Sequence, residues 1–105
     1  MPSIAFLYTT VSDKQTAERL AKEVVKSKIA ACVNIISNVL SIYEWEGKIE
    51  KTDEYVLLFK TSVEQLSKLE SWIIEKHPYK VPAIIKGTAE SSVDFFHYIC
   101  EQVKE

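Results

Sequence analysis

Residues 31–62 read ACVNIISNVLSIYEWEGKIEKTDEYVLLFKTS, and this stretch decides the fold. Tyr43 and Trp45 fall on one side of an extended strand, because side chains in a strand point to opposite faces in turn. The same alternation recurs in residues 55–59. Gly47 lies between the two segments, and glycine is typical of tight reversals of the chain. The pattern predicts a long β-hairpin that turns at Gly47.

The length of this hairpin has a consequence for the whole molecule. Each arm has 15 residues, Cys32–Glu46 and Lys48–Ser62. Fully extended, such an arm spans ~50 Å, whereas a globule of this size has a diameter of roughly 33 Å. We therefore expect the hairpin to bend, to carry bulges or to leave the subunit. Its distal half carries aromatic side chains that a monomer would expose, so strand addition between subunits is a hypothesis.

The segments on either side alternate between strand and helix patterns. SIAFLYTT, residues 3–10, predicts a buried strand, and Ser12 with Gln15 forms a capping box that begins a helix running to about Lys28. Ser62 and Gln65 form a second such box. The helix that follows is expected to end at His77, because Pro78 disfavours helical geometry in the residue before it.

The C-terminal third completes the plan. VPAIIKGTAE, residues 81–90, predicts a fourth strand, and Ser91 is expected to cap a last helix. The order is therefore β-α-β-β-α-β plus a C-terminal helix, which is the ferredoxin-like split βαβ plan of the α+β class. At 105 residues the chain is expected to be a single domain, residues 1–105.

Composition excludes several classes of function. The net charge is −2 and like charges form no long block, which argues against nucleic acid as a partner. The N-terminus lacks the features of a signal peptide, and no run of 18 apolar residues exists, so no membrane association is expected. Cys32 and Cys100 lie far apart, which favours a reduced, cytoplasmic protein.

His77 is the first candidate site residue. Imidazole is a common ligand of zinc and copper, and the turn before Pro78 would leave the ring accessible. No second His or Cys stands at ligand spacing, so a polar residue that ends the helix is the favoured interpretation. Both cysteines are interpreted as buried small side chains, and a Cys32–His77 nucleophile pair would require a third, orienting group.

Acidic and aromatic residues gather near the hairpin turn, and the acidic ones are Glu44, Glu46, Glu50, Asp53 and Glu54. Glu44 and Glu46 fall on one strand side and could bind a cation together, although charged residues also protect a sheet edge from aggregation. The aromatic residues could line a small-molecule cleft or stack on single-stranded RNA, but the acidic neighbours argue against RNA; these aromatic residues are Tyr43, Trp45, Tyr55 and Tyr79. Because the sequence contains no phosphate-binding loop, metalloprotease motif or nucleophile elbow, we do not expect an enzyme.

Four separated segments together resemble one family, the CutA divalent-cation-tolerance proteins. These segments are AACVNII (30–36), SIYEWEGKIE (41–50), LLFKT (57–61) and HPYKVPAII (77–85), in the order and spacing of the family. The resemblance implies a ferredoxin-like subunit in a homotrimer whose hairpins add strands to neighbouring subunits. It also implies a role in tolerance of copper and other divalent cations.

The resemblance also implies where ligands bind. In the copper-binding bacterial pattern a Cys ends the first strand and two His precede PY, whereas this chain has Tyr8 and the pair Lys76–His77. Of those ligands only His77 is present, so modest affinity for copper or zinc is expected. The inter-subunit cleft of the family is the other candidate. By the same resemblance, that cleft would involve Cys32, Trp45, Glu46, Lys60 and Tyr79.

The sequence therefore predicts a trimeric protein that binds divalent, copper-type cations and takes part in metal tolerance. The alternative is a PII-like trimer that binds a small effector in the inter-subunit clefts. An acylphosphatase-like enzyme on the same plan would need an Arg in the loop after the first strand, and LYTTVSDKQ contains none.

Overall fold

The computed structural model describes residues 1–104, which form a four-stranded antiparallel sheet and three α-helices. In chain order the elements are β1 (Ser3–Val11), α1 (Lys14–Lys26), β2 (Cys32–Trp45), β3 (Lys48–Thr61), α2 (Leu66–Lys76), β4 (Ile85–Glu90) and α3 (Val93–Gln102), with a 3-10 turn (Val63–Gln65) before α2. The strands lie in the order β2-β3-β1-β4. The predicted α+β class and order of elements are confirmed.

One face of the sheet carries the main core. The helices α1 and α2 pack there because their apolar residues recur at helical spacing, as Ala17, Leu20 and Val24 do in α1. Phe59 is the largest fully buried side chain of this core. Burying a side chain of this kind contributes roughly 1.5–3 kcal/mol.

A second, smaller core lies on the other face. Ile4 alternates with the residues of β1 that point toward α1 and α2. It packs with Ala31 against Ile99 of α3 and against Val103, which directly follows that helix. The sheet is thus covered on one face by two helices and on the other by a single helix. No helix among residues 1–104 is long and apolar enough to cross a membrane.

The hairpin contains a bulge and a tight turn. Ile36 pairs with Val56 and Val39 pairs with Glu54, so β2 has one residue more than β3 at this point, and Asn38 has a φ of +60°. A bulge was one of the expected ways to accommodate the length of the hairpin. The molecule still measures 45 × 26 × 22 Å, which is much longer than it is wide.

Three predicted caps differ from those in the structure. Asp13, not Ser12, caps α1, because its carboxylate accepts a 2.8 Å hydrogen bond from the Thr16 N–H. Ser62 makes no side-chain cap; the second box fails because the Gln65 amide instead donates to the carbonyls of Lys28 and Val103, at 3.5 and 3.3 Å.

The last predicted cap and one strand boundary also differ. Ser92, not Ser91, caps α3 by accepting a hydrogen bond from the Phe95 N–H. The fourth strand begins at Ile85 and not at Val81, because residues 81–84 join no strand pair. The predicted end of α2 at His77 is confirmed.

Candidate functional site

His77 lies at the C-terminal end of α2, where its side chain is buried and both ring nitrogens have backbone partners. Nδ1 accepts a hydrogen bond of 3.1 Å from the Tyr79 N–H, so the proton of the neutral ring must sit on Nε2. Nε2 in turn donates to the Thr10 carbonyl at 2.8 Å. Burial lowers the pKa of His77, and this effect outweighs the Thr10 hydrogen bond and the Glu54 charge, which both raise it. The ring therefore links α2 to the end of β1 as a neutral group.

This arrangement bears on the predicted metal ligand. A metal ion on His77 would have to replace one of the two hydrogen bonds of the ring, because both nitrogens are already used. Within residues 1–104 no three His, Cys, Asp or Glu side chains converge to hold a metal ion. His77 as a ligand stays a prediction, and it requires movement of the ring or of the Tyr79 backbone.

Tyr79 connects His77 to a buried carboxylate. Its hydroxyl donates to Glu54 Oε2 at 2.7 Å, and its ring meets the His77 ring edge-on, with centroids 4.8 Å apart. Burial raises the pKa of Glu54, but hydrogen bonds from Ser41, Tyr79 and Thr10 outweigh burial, and the pKa lies below its ordinary value. Burial and the hydrogen bond to Glu54 raise the pKa of Tyr79, so its hydroxyl keeps its proton at neutral pH.

Glu54 is therefore an ionised carboxylate of which only 9% is exposed. In the part of the chain that the structure describes, it forms no ion pair with Lys or Arg. Burying a charge without a counter-charge is unfavourable, and here the hydroxyl donors outweigh that penalty without neutralising the charge. The site thus holds a net negative charge at low exposure.

A cleft of about 670 Å³ opens beside Glu54. It lies between the distal half of the hairpin and residues 79–83, at the end of β1. Three aromatic and three charged side chains take part in its lining: Tyr43, Trp45, Tyr79, Glu50, Glu54 and Lys80. The bulge makes this possible, since the extra residue in β2 puts Tyr43 and Trp45 on the same face as Glu54.

The structure brings some of the predicted cleft residues together and separates others. Trp45 and Tyr79 both line the cleft, whereas the predicted Tyr55 does not and packs against the main core instead. Glu46 lies in the hairpin turn, with a φ of +51°, and is exposed. Cys32 and Lys60 are paired at the opposite end of the hairpin, where Lys60 Nζ lies 5.7 Å from the centre of the Phe95 ring. Within one subunit the predicted set thus occupies two places.

The acidic pair predicted at the turn is also separated. The strand β2 ends at Trp45, so Glu46 belongs to the turn and not to the strand, and Glu44 pairs with Ile49 on the face away from the cleft. The sequence places Glu54 among five acidic residues near the turn but does not distinguish it from the others as a buried site residue. The available signal was its position immediately before the apolar run YVLLF and on the same strand face as the buried Val56.

Comparison with known proteins gives a consistent result. The family model described as CutA1 divalent ion tolerance protein matches residues 5–102. The divalent-cation tolerance protein CutA of Thermus thermophilus is 36% identical over 93 residues, which cover 88% of this chain and 90% of that protein. The protein CutA of Mus musculus is 34% identical over 104 residues, which cover 98% of this chain.

Some curated relatives are considerably longer than this chain. The matched part is 58% of the mouse protein and 46% of the chloroplastic protein CutA of Arabidopsis thaliana. The chain thus spans about half the length of these two relatives.

Solved structures agree with the sequence matches. The crystal structure of divalent ion tolerance protein CutA1 from Ehrlichia chaffeensis has a TM-score of 0.95 at 30% identity and covers 100% of this chain and 99% of that one. The structure of CutA from Synechococcus elongatus has a TM-score of 0.94 at 35% identity, with 99% and 93% covered. Fold, family model and relatives agree along nearly the whole sequence, and this chain belongs to the CutA1 divalent ion tolerance protein family.

Proposed function

We propose that this protein acts in the cytoplasm in the tolerance of divalent metal ions, as a homotrimer that binds copper-type ions with modest affinity and catalyses no reaction. Membership of a family described by divalent ion tolerance supports the general role. The observation that carries the binding role is the ionised and buried Glu54 without a cationic partner in residues 1–104, with Glu50 lining the same cleft.

Modest affinity follows from the set of available ligands. Carboxylate oxygens bind divalent cations, and Glu54 with Glu50 would supply the charge. Tyr79 connects His77 to Glu54 by two hydrogen bonds. His77 would add a nitrogen ligand only after releasing one of its own hydrogen bonds. A site that must be rearranged before it can bind is competent for only part of the time. Its affinity for the metal ion is reduced in proportion to that fraction.

The proposed trimer of ferredoxin-like subunits rests on the hairpin. The 14-residue strand β2 is an edge of the sheet, and a long edge strand presents unpaired N–H and C=O groups to another chain. On the hairpin face away from the cleft, three large apolar side chains are 57–70% exposed: Leu40, Ile42 and Ile49. A neighbouring subunit that pairs with this edge would cover them.

Calorimetric titration with Cu²⁺ and Zn²⁺ tests the metal proposal. We expect weak binding to the native protein and at least about tenfold weaker binding to Glu54→Gln, since the substitution removes the charge but keeps a hydrogen-bond acceptor. Glu44→Gln is the matched control, because Glu44 lies on the opposite hairpin face. Absence of any binding would refute the metal proposal, and unchanged binding to Glu54→Gln would remove the cleft from it.

A second candidate function is favoured by the size and lining of the cleft. A volume of about 670 Å³ with three aromatic side chains is far larger than a metal ion and lies in the usual range for small organic ligands. As the alternative function, we infer that the protein is a PII-like trimer that binds a small effector in this cleft.

A further inference from the structure

The cleft combines a buried anionic group with aromatic walls, and this combination selects one chemical class of ligand. We propose that the cleft binds a small methylated ammonium ion, that is, an organic cation whose nitrogen carries alkyl groups in place of hydrogens. This inference rests on the second proposed function, a small effector in the cleft, and names the class of that effector.

The first step is the sign of the charge. Glu54 and Glu50 contribute two carboxylates to the lining, against the single cation of Lys80. Glu54 is 9% exposed and forms no ion pair with Lys or Arg in the described part of the chain. A cation in the cleft would balance the negative charge that Lys80 leaves in excess, whereas an anion would be repelled.

The second step is the hydrogen-bonding state of Glu54. Oε2 already accepts the Tyr79 hydroxyl at 2.7 Å, and the nearby hydroxyls of Ser41 and Thr10 also help to lower the pKa of this carboxylate. Neutral hydroxyls thus already serve this carboxylate, while its charge is not neutralised. A methylated ammonium ion suits such a group because it carries charge and needs no acceptor.

The third step concerns the aromatic side chains. Tyr43 and Trp45 are 42% and 50% exposed on the cleft face of the hairpin, and Tyr79 lies across the cleft from them. Ring faces attract cations, indole most strongly, and sets of aromatic rings are the usual binding site of methylated ammonium groups. These rings also bind the apolar methyl groups, which a hydrated metal ion lacks.

One polar atom of the cleft lining lacks a hydrogen-bond partner among the described residues. Thr52 Oγ1 is buried, has no hydrogen-bond partner in the described residues, and belongs to a residue of the lining. Thr52 pairs with Ser41 on the strand face that also carries Tyr43 and Glu50. Because this atom has no exposed surface, a hydroxyl on the body of the ligand would reach it only after the Thr52 side chain rotates toward the cleft. We expect that rotation on binding, and therefore a ligand with an ammonium head and a short polar tail.

The test compares two probes of nearly equal shape, (2-hydroxyethyl)trimethylammonium and its uncharged isostere 3,3-dimethylbutan-1-ol. Binding is measured by calorimetry and by the shift of the probe's methyl proton resonances, which aromatic ring currents move upfield. We expect the charged probe to bind at least about tenfold more tightly than the alcohol, because only the charged probe interacts with Glu54 and the ring faces.

Variants locate the bound probe in the cleft. Trp45→Leu and Glu54→Gln should each weaken binding of the charged probe roughly tenfold, whereas Trp45→Phe, which keeps a ring, should weaken it less. Trp45→Leu should also reduce the upfield shift. Glu44→Gln, on the other hairpin face, should bind like the native protein. Circular dichroism confirms that each variant is folded, and Glu54→Asp, which keeps the charge, replaces Glu54→Gln if the latter unfolds, with the tenfold loss then expected from Trp45→Leu alone.

The possible failures are distinguishable. Equal binding of both probes in the cleft overturns the ammonium class but leaves a small effector there. No binding of either probe, or binding that Trp45→Leu does not change, overturns this inference. Zn²⁺ binding that is lost in Glu54→Gln while the charged probe never binds overturns this inference and supports the metal proposal instead.

Discussion

At the scale of the residue, a chain of hydrogen bonds connects three elements. The Thr10 carbonyl at the end of β1 accepts a hydrogen bond from His77 at the end of α2. Tyr79 donates its N–H to His77 and its hydroxyl to Glu54 on β3. The two ring nitrogens of His77 have different roles. Nδ1 accepts from the Tyr79 N–H, so the ring proton is on Nε2. Protonation of His77 at Nδ1 would make this nitrogen a donor that faces the Tyr79 N–H. The hydrogen bond between His77 and Tyr79 would then be lost.

The stability of the protein should therefore depend on pH in two steps. The pKa of His77 is below its ordinary 6.5 in the folded protein, so the unfolded chain binds the proton first as pH falls. Stability is fully present above about pH 6.5 and decreases below it. Glu54, whose pKa is below its ordinary 4.5, adds stability that is present above that pH and is lost as pH falls further.

Urea unfolding of the native protein and of His77→Gln between pH 3 and 8 measures both steps. We expect the native free energy of unfolding to fall as pH drops below 6.5, and the variant to lack this upper step while keeping the lower, carboxylate step. An upper step of equal size in His77→Gln would assign it to another group.

At the scale of the element, the hairpin owes its geometry to two short irregularities. Glu46 and Gly47 both have positive φ, +51° and +81°, which defines a two-residue turn of the I′ kind between Trp45 and Lys48. The bulge between Ile36 and Val39 changes which side chains of β2 share a face with β3. Without that extra residue, Tyr43 and Trp45 would point away from Glu54.

Two substitutions in the turn should have opposite effects. Gly47→Ala should lower the free energy of unfolding by about 1 kcal/mol, because an L side chain at this φ is strained although nothing lies within 4 Å of its Cβ. Glu46→Asn should raise it by roughly 0.5 kcal/mol, because Asn tolerates positive φ better than Glu. Urea unfolding at one fixed protein concentration measures both. A loss of stability in both variants would mean that Glu46 makes contacts outweighing its backbone strain.

At the scale of the whole molecule, the hairpin is the part that the subunit's own cores do not cover. Both cores lie near the helices, and the distal half of the hairpin leaves Leu40 and Ile42 more than half exposed. Exposed apolar side chains next to an unpaired strand edge are typical of a protein interface. The proposed trimer would cover the apolar side chains and would also pair the free strand edge.

Charging this face should dissociate the proposed trimer. We expect sedimentation to give a trimer for the native protein and a monomer for the double variant Leu40→Lys, Ile42→Lys, because two charges would be buried in the interface. Val25→Lys is the control, since Val25 is a partly exposed residue of α1, and it should remain trimeric. A native monomer, or a double variant that sediments like the native protein, would contradict the proposed interface.

Much of the architecture was predictable because it depends on local patterns. Periods of two and of about 3.6 residues identified the strands and helices, and Pro78 correctly placed the end of α2 at His77. Caps were predicted less well. Neighbouring serines and an aspartate compete for the same backbone N–H groups, and Gln65 prefers carbonyls of distant segments to a local box.

The sequence by itself determined the class of fold, the order of elements, the hairpin turn and the family. These rest on local periodicity and on short motifs. Only the tertiary structure decided that both His77 nitrogens have partners, that Glu54 is a buried anion, and that Tyr43, Trp45 and Tyr79 line one cleft. The reason is that burial and hydrogen bonding depend on residues far apart in the chain, and that a single extra residue in β2 changes which side chains share a face.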